Sequence, residues 1–148
     1  KTILEYPTLE ADDCIAITAK HITDKYPDAH VYIITSDMDY IQLACERITL
    51  INLKYQKLTD SKSCFKDPQK DLFCKIVSGD KSDNIPSVFP RCGLKTSAKL
   101  YENQEEFIKK LEKNPASKDL YERNKKIIDF NHIPNNLIDG FKKNILLI

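Results

Sequence analysis

The sequence contains no apolar run of 18 or more residues, so no stretch reads as a membrane-spanning helix. Its opening, KTILEYPTLEADD, has no hydrophobic h-region, which excludes a secretory signal at this end. Position 1 is Lys and not Met, which sets the expectation of a fragment, a processed form or a trimmed chain. No C-x-x-C pair occurs among Cys14, Cys45, Cys64, Cys74 and Cys92, and their number is odd. That argues against a disulfide framework and a zinc knuckle, and it suits a reduced, intracellular setting. The three histidines, His21, His30 and His132, are scattered and read as structural or surface residues. There is no G-x-x-x-x-G-K-[ST] loop, so P-loop nucleotide hydrolysis is disfavoured. Internal repeats and low-complexity tracts are absent as well.

What is present suits one globular unit. The 148 residues suffice to build a core, and 30% charged with 41% hydrophobic residues is ordinary composition. The net charge of +1 is unevenly spread. Residues 1–90 carry 11 Lys/Arg against 14 Asp/Glu; residues 91–148 carry 12 against 8. An acidic half joined to a basic half suits a metal-dependent site beside a polyanion-binding surface, although chance variation of a few charges would look the same.

Residues 9–26 read as a helix, with Ile15, Ala19 and Ile22 at helical spacing, acids in the first turn and Pro27 as the stop. The β-branched runs HVYIIT (30–35) and ITLINL (48–53) read as strands, with the short helix YIQLACE between them. This spacing predicts a parallel α/β unit. Pro68 opens a second helix, PQKDLFCKIVS. A loop rich in turn formers follows, then helical and basic sequence from about Thr96 to the end. The expected division is an α/β part over 1–67 and a helical part over 68–148, within one continuous domain.

Three acidic clusters stand out: Glu10, Asp12 and Asp13 in LEADD; Asp37 and Asp39 in TSDMD; Asp80 and Asp83 in SGDKSDN. Glu10 and Asp13 share a helix face, and a helix N-terminus accounts for at least one acid there. Asp37 follows a strand, where open α/β sheets place their sites. If the chain stays extended, Asp39 points the same way. Asp80 and Asp83 suit either a solvated turn or a metal site. Converging carboxylates would repel, and hard divalent cations relieve that with oxygen ligands. Two such ions suit phosphodiester cleavage.

The order E-A-D-D, a strand ending S-D-x-D, then G-D-K-S-D-N-I-P and a G-x-K-T-x-A-K-L helix resembles the 5′–3′ exonuclease and flap endonuclease family. That family includes the N-terminal nuclease domain of bacterial DNA polymerase I and its phage and viral homologues. The likeness runs from about Leu9 to Leu100. It implies a PIN-like or resolvase-like parallel sheet with helices, a helix–three-turn–helix DNA clamp and a basic helical tail. It also implies a structure-specific 5′ nuclease acting on duplex DNA with a 5′ flap, overhang or nick, in replication or repair.

By the same resemblance, Glu10, Asp12, Asp13, Asp37, Asp39, Asp80 and Asp83 are catalytic metal-site carboxylates holding Mg²⁺ or Mn²⁺. Lys95 and Lys99 meet phosphates, with Lys81, Asn84, Gly93 and Thr96 also on the DNA side. Main-chain carbonyls of Val77, Ser78, Pro86, Val88 and Cys92 hold a potassium ion in the clamp. The chain departs from the family's pattern in SVFPRCGLK, one residue longer than the usual G-V-x-G-I-G-x-K spacing and keeping only Gly93. Met38 stands where a basic residue is common. The family's first strand, its Asp and the helical arch have no counterpart here, so the N-terminal part of the fold is expected to be absent. The rival readings are a non-catalytic duplex-binding module of that family and a ribonuclease with a similar acidic cleft.

Overall fold

The computed structural model describes residues 2–146. In chain order its elements are α1 (Ala11–Lys25), β1 (Val31–Ile34), a 3₁₀ helix (Met38–Leu43), β2 (Ile48–Ile51), a 3₁₀ turn (Leu58–Asp60), α2 (Pro68–Ser78), α3 (Leu94–Glu102), α4 (Gln104–Lys113), α5 (Pro115–Ile128), a 3₁₀ turn (Phe130–His132) and α6 (Asn135–Asn144). They form two compact units, residues 1–61 with 133–148 and residues 62–132. Among the described residues no helix is long and apolar enough to cross a membrane.

In the first unit β1 and β2 run parallel, in register from Val31 opposite Ile48 to Ile34 opposite Ile51. The predicted parallel pair is therefore present. The link between the strands is a 3₁₀ helix and not an α-helix. It nonetheless buries Tyr40, Ile41 and Leu43. Helix α1 buries Cys14, Ala16, Ile17 and Ala19. Its C-terminal carbonyls are satisfied from a distance: Arg47 Nη1 donates to the carbonyls of Thr23 (2.7 Å), Tyr26 (3.2 Å) and Pro27 (3.1 Å). A guanidinium there also meets the negative end of the helix dipole.

The sequence divides by composition at 67/68, whereas the packing returns residues 133–148 to the first unit. The reason is Phe141 on α6, fully buried with Cys14, Ile17 and Leu146 and edge-on to the Tyr6 ring at 6.2 Å. The terminal helix is thus basic in sequence but holds its apolar side against α1.

The second unit is helical. Asp67 caps α2, its Oδ1 accepting from the N–H groups of Gln69 and Lys70, with Pro68 in the first turn. Gly79 ends the helix at φ 72°. A Cβ at this position would lie 2.3 Å from the Ile85 carbonyl oxygen and 2.7 Å from that of Pro86, so only glycine fits. Val77, Val88, Phe89, Cys92, Leu100 and Phe107 make one core cluster; Ile76, Ile85 and Ile128 make another. The five cysteines are all free.

Asn124 on α5 is completely buried, and its Nδ2 donates to the carbonyls of Ile76 (3.0 Å) and Pro86 (2.8 Å). One amide therefore ties the end of α2 to the turn that leads towards α3. Replacing Asn124 with Ala leaves the buried Ile76 carbonyl and the part-buried Pro86 carbonyl without their donor. A loss of ~2–4 kcal/mol is expected in denaturant unfolding. A loss below ~0.5 kcal/mol would show that the amide does not hold the turn.

Candidate functional site

The acids of the first unit gather at two loop-to-helix junctions. Glu10 is the N-cap of α1, and Asp12 and Asp13 lie in its first turn. Asp13 Oδ2 accepts from the Glu10 N–H at 3.2 Å, so this carboxylate caps its helix. Burial, and then the charge of Asp12, nevertheless push the Asp13 carboxyl above the usual carboxylate range. An acid raised in this way loses folding stability as pH rises past its unfolded value.

Asp37 follows β1 and caps the 3₁₀ helix, its Oδ1 accepting from the Asp39 N–H at 2.9 Å. The chain is helical from Met38 on, so the two acids do not share a face by strand alternation. Asp37 stays exposed and Asp39 is half-buried. The junctions meet around Tyr40. That buried residue's hydroxyl is pushed up to about 12, first by burial and then by the charges of Asp12, Asp37 and Asp13. Three of the predicted acids therefore act on one buried phenol at the carboxyl end of a parallel sheet. Tyr40 was not singled out by the sequence, where it reads as one more apolar position in YIQLACE.

In the second unit Asp80 and Ile85 form an isolated antiparallel bridge, with reciprocal N–H to carbonyl bonds of 2.9 and 2.7 Å. Residues 81–84 make the turn, exposed throughout, with Asn84 left-handed at φ 56°. Asp80 Oδ1 accepts from the Ser82 hydroxyl and from the Ser82 N–H at 2.8 Å, and Oδ2 pairs with Lys75 Nζ at 3.0 Å. Ser82 first and Lys75 second hold its carboxyl down to about 2. Asp83 is exposed. Asp80 is thus neither a bare turn residue nor uncompensated. Lys75 escaped the sequence reading; the signal available was a cation in the last turn of a helix that ends just before the acid.

Val88 N–H donates to the Val77 carbonyl at 2.9 Å and so brings the chain back onto α2. The longer SVFPRCGLK segment is accommodated by burying Phe89 and Cys92 and by holding Arg91 left-handed at φ 57°. Helix α3 begins at Leu94, with Gly93 as N-cap, two residues before the predicted start at Thr96. The N–H groups of Thr96 and Ser97 both donate to the Gly93 carbonyl, at 3.1 and 3.0 Å. Lys95 and Lys99 are one helical turn apart and both exposed. Lys81, Gly93 and Thr96 are exposed too. The carbonyls predicted to hold potassium are partly engaged: that of Val77 by Val88 and that of Pro86 by Asn124.

The donor chemistry suits hard divalent cations. Every predicted ligand is a carboxylate, the donor type such cations prefer. Burial first and neighbouring acids second raise Asp13 and Tyr40 at this end of the first unit.

Comparison with known proteins adds the ancestry. Residues 1–71 match the family model described as 5′-3′ exonuclease, N-terminal resolvase-like domain. DNA polymerase I of Treponema pallidum (strain Nichols) is 35% identical over 106 residues, covering 67% of this chain and 10% of that protein. A 5′-3′ exonuclease of Aquifex aeolicus (strain VF5) is 32% identical over 118 residues, covering 75% of this chain and 40% of its own length. The chain therefore spans from a tenth to two fifths of these relatives. A crystal structure of the bacteriophage T5 protein, co-crystallised with metal ions, superposes with a TM-score of 0.72 at 22% identity, covering 93% of this chain and 60% of that one. A complex of the T5 flap endonuclease with DNA and metal ions gives 0.70 at 23% identity, covering 93% and 59%. These likenesses show the fold: a resolvase-like α/β arrangement of parallel sheet and helices. By its family match, its relatives and its fold, the chain belongs to the 5′–3′ exonuclease family.

Proposed function

We propose that this chain serves structure-specific hydrolysis of DNA phosphodiesters by a 5′ nuclease, in replication or repair and inside the cell. The single observation that carries the reading is the placement of Asp12, Asp13 and Asp37 at two helix starts, with the buried Tyr40 within reach of their charges, at the carboxyl end of the parallel strands.

Glu10, Asp12, Asp13, Asp37 and Asp39 of the first unit and Asp80 and Asp83 of the second are the metal-holding carboxylates of this reading. Mg²⁺ or Mn²⁺ bound by such groups supplies a nucleophilic water at neutral pH and stabilises the leaving oxygen; two ions do both. The chain's own residues do the rest. Asp37 and Asp13 fix their helix starts by capping, which aims Asp39 and Asp12. Lys75 and Ser82 hold the Asp80 carboxylate in its ionised form. Nucleic acid is gripped by a helix–three-turn–helix clamp made of α2, the 79–93 segment and α3. Lys95 and Lys99 meet phosphates there, beside Gly93 and the first N–H groups of α3. Lys81 and Asn84, on the exposed turn, face the same strand. A potassium ion in the clamp would use the carbonyls of Val77, Ser78, Pro86, Val88 and Cys92. The two already hydrogen-bonded keep a second lone pair each. Contacts of this kind read backbone and shape, so base preference is low.

Three outcomes are expected. Mg²⁺ or Mn²⁺ raises the thermal midpoint over that in chelator at matched ionic strength. Asp12→Asn removes that gain, while leaving the metal-free midpoint equal or higher because one repulsive charge is gone. Equal midpoints with and without metal would sink the metal assignment.

Lys95→Ala weakens duplex DNA binding about equally for all sequences and lowers the slope of log affinity against log salt by about one. An unchanged slope, measured by anisotropy titration in chelator, places the clamp elsewhere.

Asp80→Asn slows Mg²⁺-dependent single-turnover cleavage of a 5′-flap duplex by about a hundredfold or more, while binding in Ca²⁺ survives or tightens. Near-parental cleavage at equal folded fraction removes Asp80 from the site.

A further inference from the structure

Beside the Asp37–Asp39 corner lies a cleft of about 690 Å³, wholly within the first unit and lined by Ser36, Met38, Asn52, Tyr55, Lys57 and Asp60 among others. It opens at the carboxyl ends of both strands, since Ser36 follows β1 and Asn52 follows β2. Its size suits a small organic ligand of nucleotide scale.

One wall is a tight hairpin. Ile51 and Lys57 form an antiparallel bridge, and Asn52 N–H donates to the Gln56 carbonyl at 3.0 Å. The Asn52 side chain braces the tip from inside. Its Oδ1 accepts from the N–H groups of Lys54 (2.9 Å) and Gln56 (3.0 Å), and its Nδ2 donates to Gln56 Oε1 (3.1 Å). The tip is therefore rigid, yet it presents Leu53 at 82% and Tyr55 at 86% exposure. Tyr55 is also left-handed, at φ 59°. A turn position of that kind favours Gly or Asn, and a bulky aromatic costs stability there. Folding gains nothing from this ring: it buries almost no surface and sits in an unfavourable conformation. Strain held by a braced loop beside a cleft is the pattern of a residue kept for contact.

The surroundings define what it contacts. Tyr55 lies between Lys54 and Lys57 in the order Lys-Tyr-Gln-Lys, so an aromatic face stands among cations. This combination accepts a base on the ring and phosphate on the ammonium groups. Asn52, Gln56 and Asp60 offer amide and carboxylate groups to the edge of a base. A protein partner would also use the exposed Leu53 and Tyr55. It would not account for the polar cleft behind them or for its place next to the acidic corner.

We propose that the 51–57 hairpin and its cleft form a nucleotide subsite for single-stranded nucleic acid, with a base stacked on Tyr55 and the adjoining phosphate on Lys57 and Lys54. This rests on the nuclease reading and extends it. The subsite holds one unstacked nucleotide next to the metal-binding acids of the same unit.

The test uses the full chain in chelator and a fluorescent oligothymidine of about six nucleotides, a length within the usual range of such sites. A second strand has the same phosphates but abasic sugars. Loss of one stack predicts about a fivefold to hundredfold weaker binding of oligothymidine by Tyr55→Ala. Tyr55→Phe keeps the ring and binds within about twofold of the parent. On the abasic strand, parent and Tyr55→Ala bind alike. Tyr55→Asn, which suits the left-handed backbone, keeps or raises the thermal midpoint but loses affinity as the Ala variant does. Equal affinities of parent and Tyr55→Ala for oligothymidine, or equal losses on base-bearing and abasic strands, overturn the subsite. Duplex binding and its Lys95 dependence, measured on the same preparations, report separately on the nuclease reading. If those stand while Tyr55 has no effect, only the subsite falls. If Tyr55 discriminates base from abasic strand and the Lys95 dependence is missing, the subsite stands and the clamp falls.

Discussion

No side chain fits at Gly79, because the Ile85 and Pro86 carbonyls pass within reach of where a Cβ would be. Much of the second unit follows from that close approach. The chain leaves α2 in a conformation open to glycine, pairs Asp80 with Ile85 two-way, and turns through residues 81–84. Asn124 fastens the far side of the same turn from α5. Asp80 is consequently on a rigid mount, and its carboxylate is aimed by Lys75 and Ser82 without a flexible loop intervening. Pre-positioned charge of this kind needs no reorganisation when a cation or phosphate arrives, which is how electrostatic sites gain strength.

The first unit solves a different electrical problem. Its acids are placed by helix starts, where the backbone dipole and free N–H groups favour negative charge. Asp13 reaches back to the Glu10 N–H, and Asp37 receives the Asp39 N–H. These local bonds offset part of the cost of crowding like charges. Asp13 and Tyr40 are nonetheless pushed up, first by burial and then by neighbouring acids. The acids therefore differ in kind: those on α1 and the 3₁₀ helix sit at helix starts, while Asp80 brings its own counterion.

The hairpin at 51–57 shows the opposite use of rigidity. Five hydrogen bonds to the Asn52 backbone and side chain fix a tip whose apolar residues face solvent. Order is normally offset by burial; at Leu53 and Tyr55 it is not. A braced aromatic loses little conformational entropy on contact, which favours stacking on a flexible single strand.

Some of this was legible in the residues. β-branched runs at 30–35 and 48–53 gave strands within two residues of β1 and β2, and Pro68 with Gly79 marked both ends of α2. Periodicity, caps and breakers act over a few residues, so a linear reading captures them. The acids were legible as three clusters, and the capping of Asp13 was foreseeable from its spacing. Tertiary contacts alone decided the rest. That Tyr40 is desolvated beside Asp12, Asp13 and Asp37, that Phe141 carries α6 back to α1, and that Asn124 binds carbonyls 48 and 38 residues away depends on chain segments distant in sequence. Even Lys75, only five residues before Asp80, needed the fold: helical side chains lean back towards the N-terminus, and the Gly79 turn brings the carboxylate back to meet it. Sequence determines local conformation through short-range sterics and hydrogen bonds, whereas the charge environment of a site is a sum over neighbours that only packing supplies.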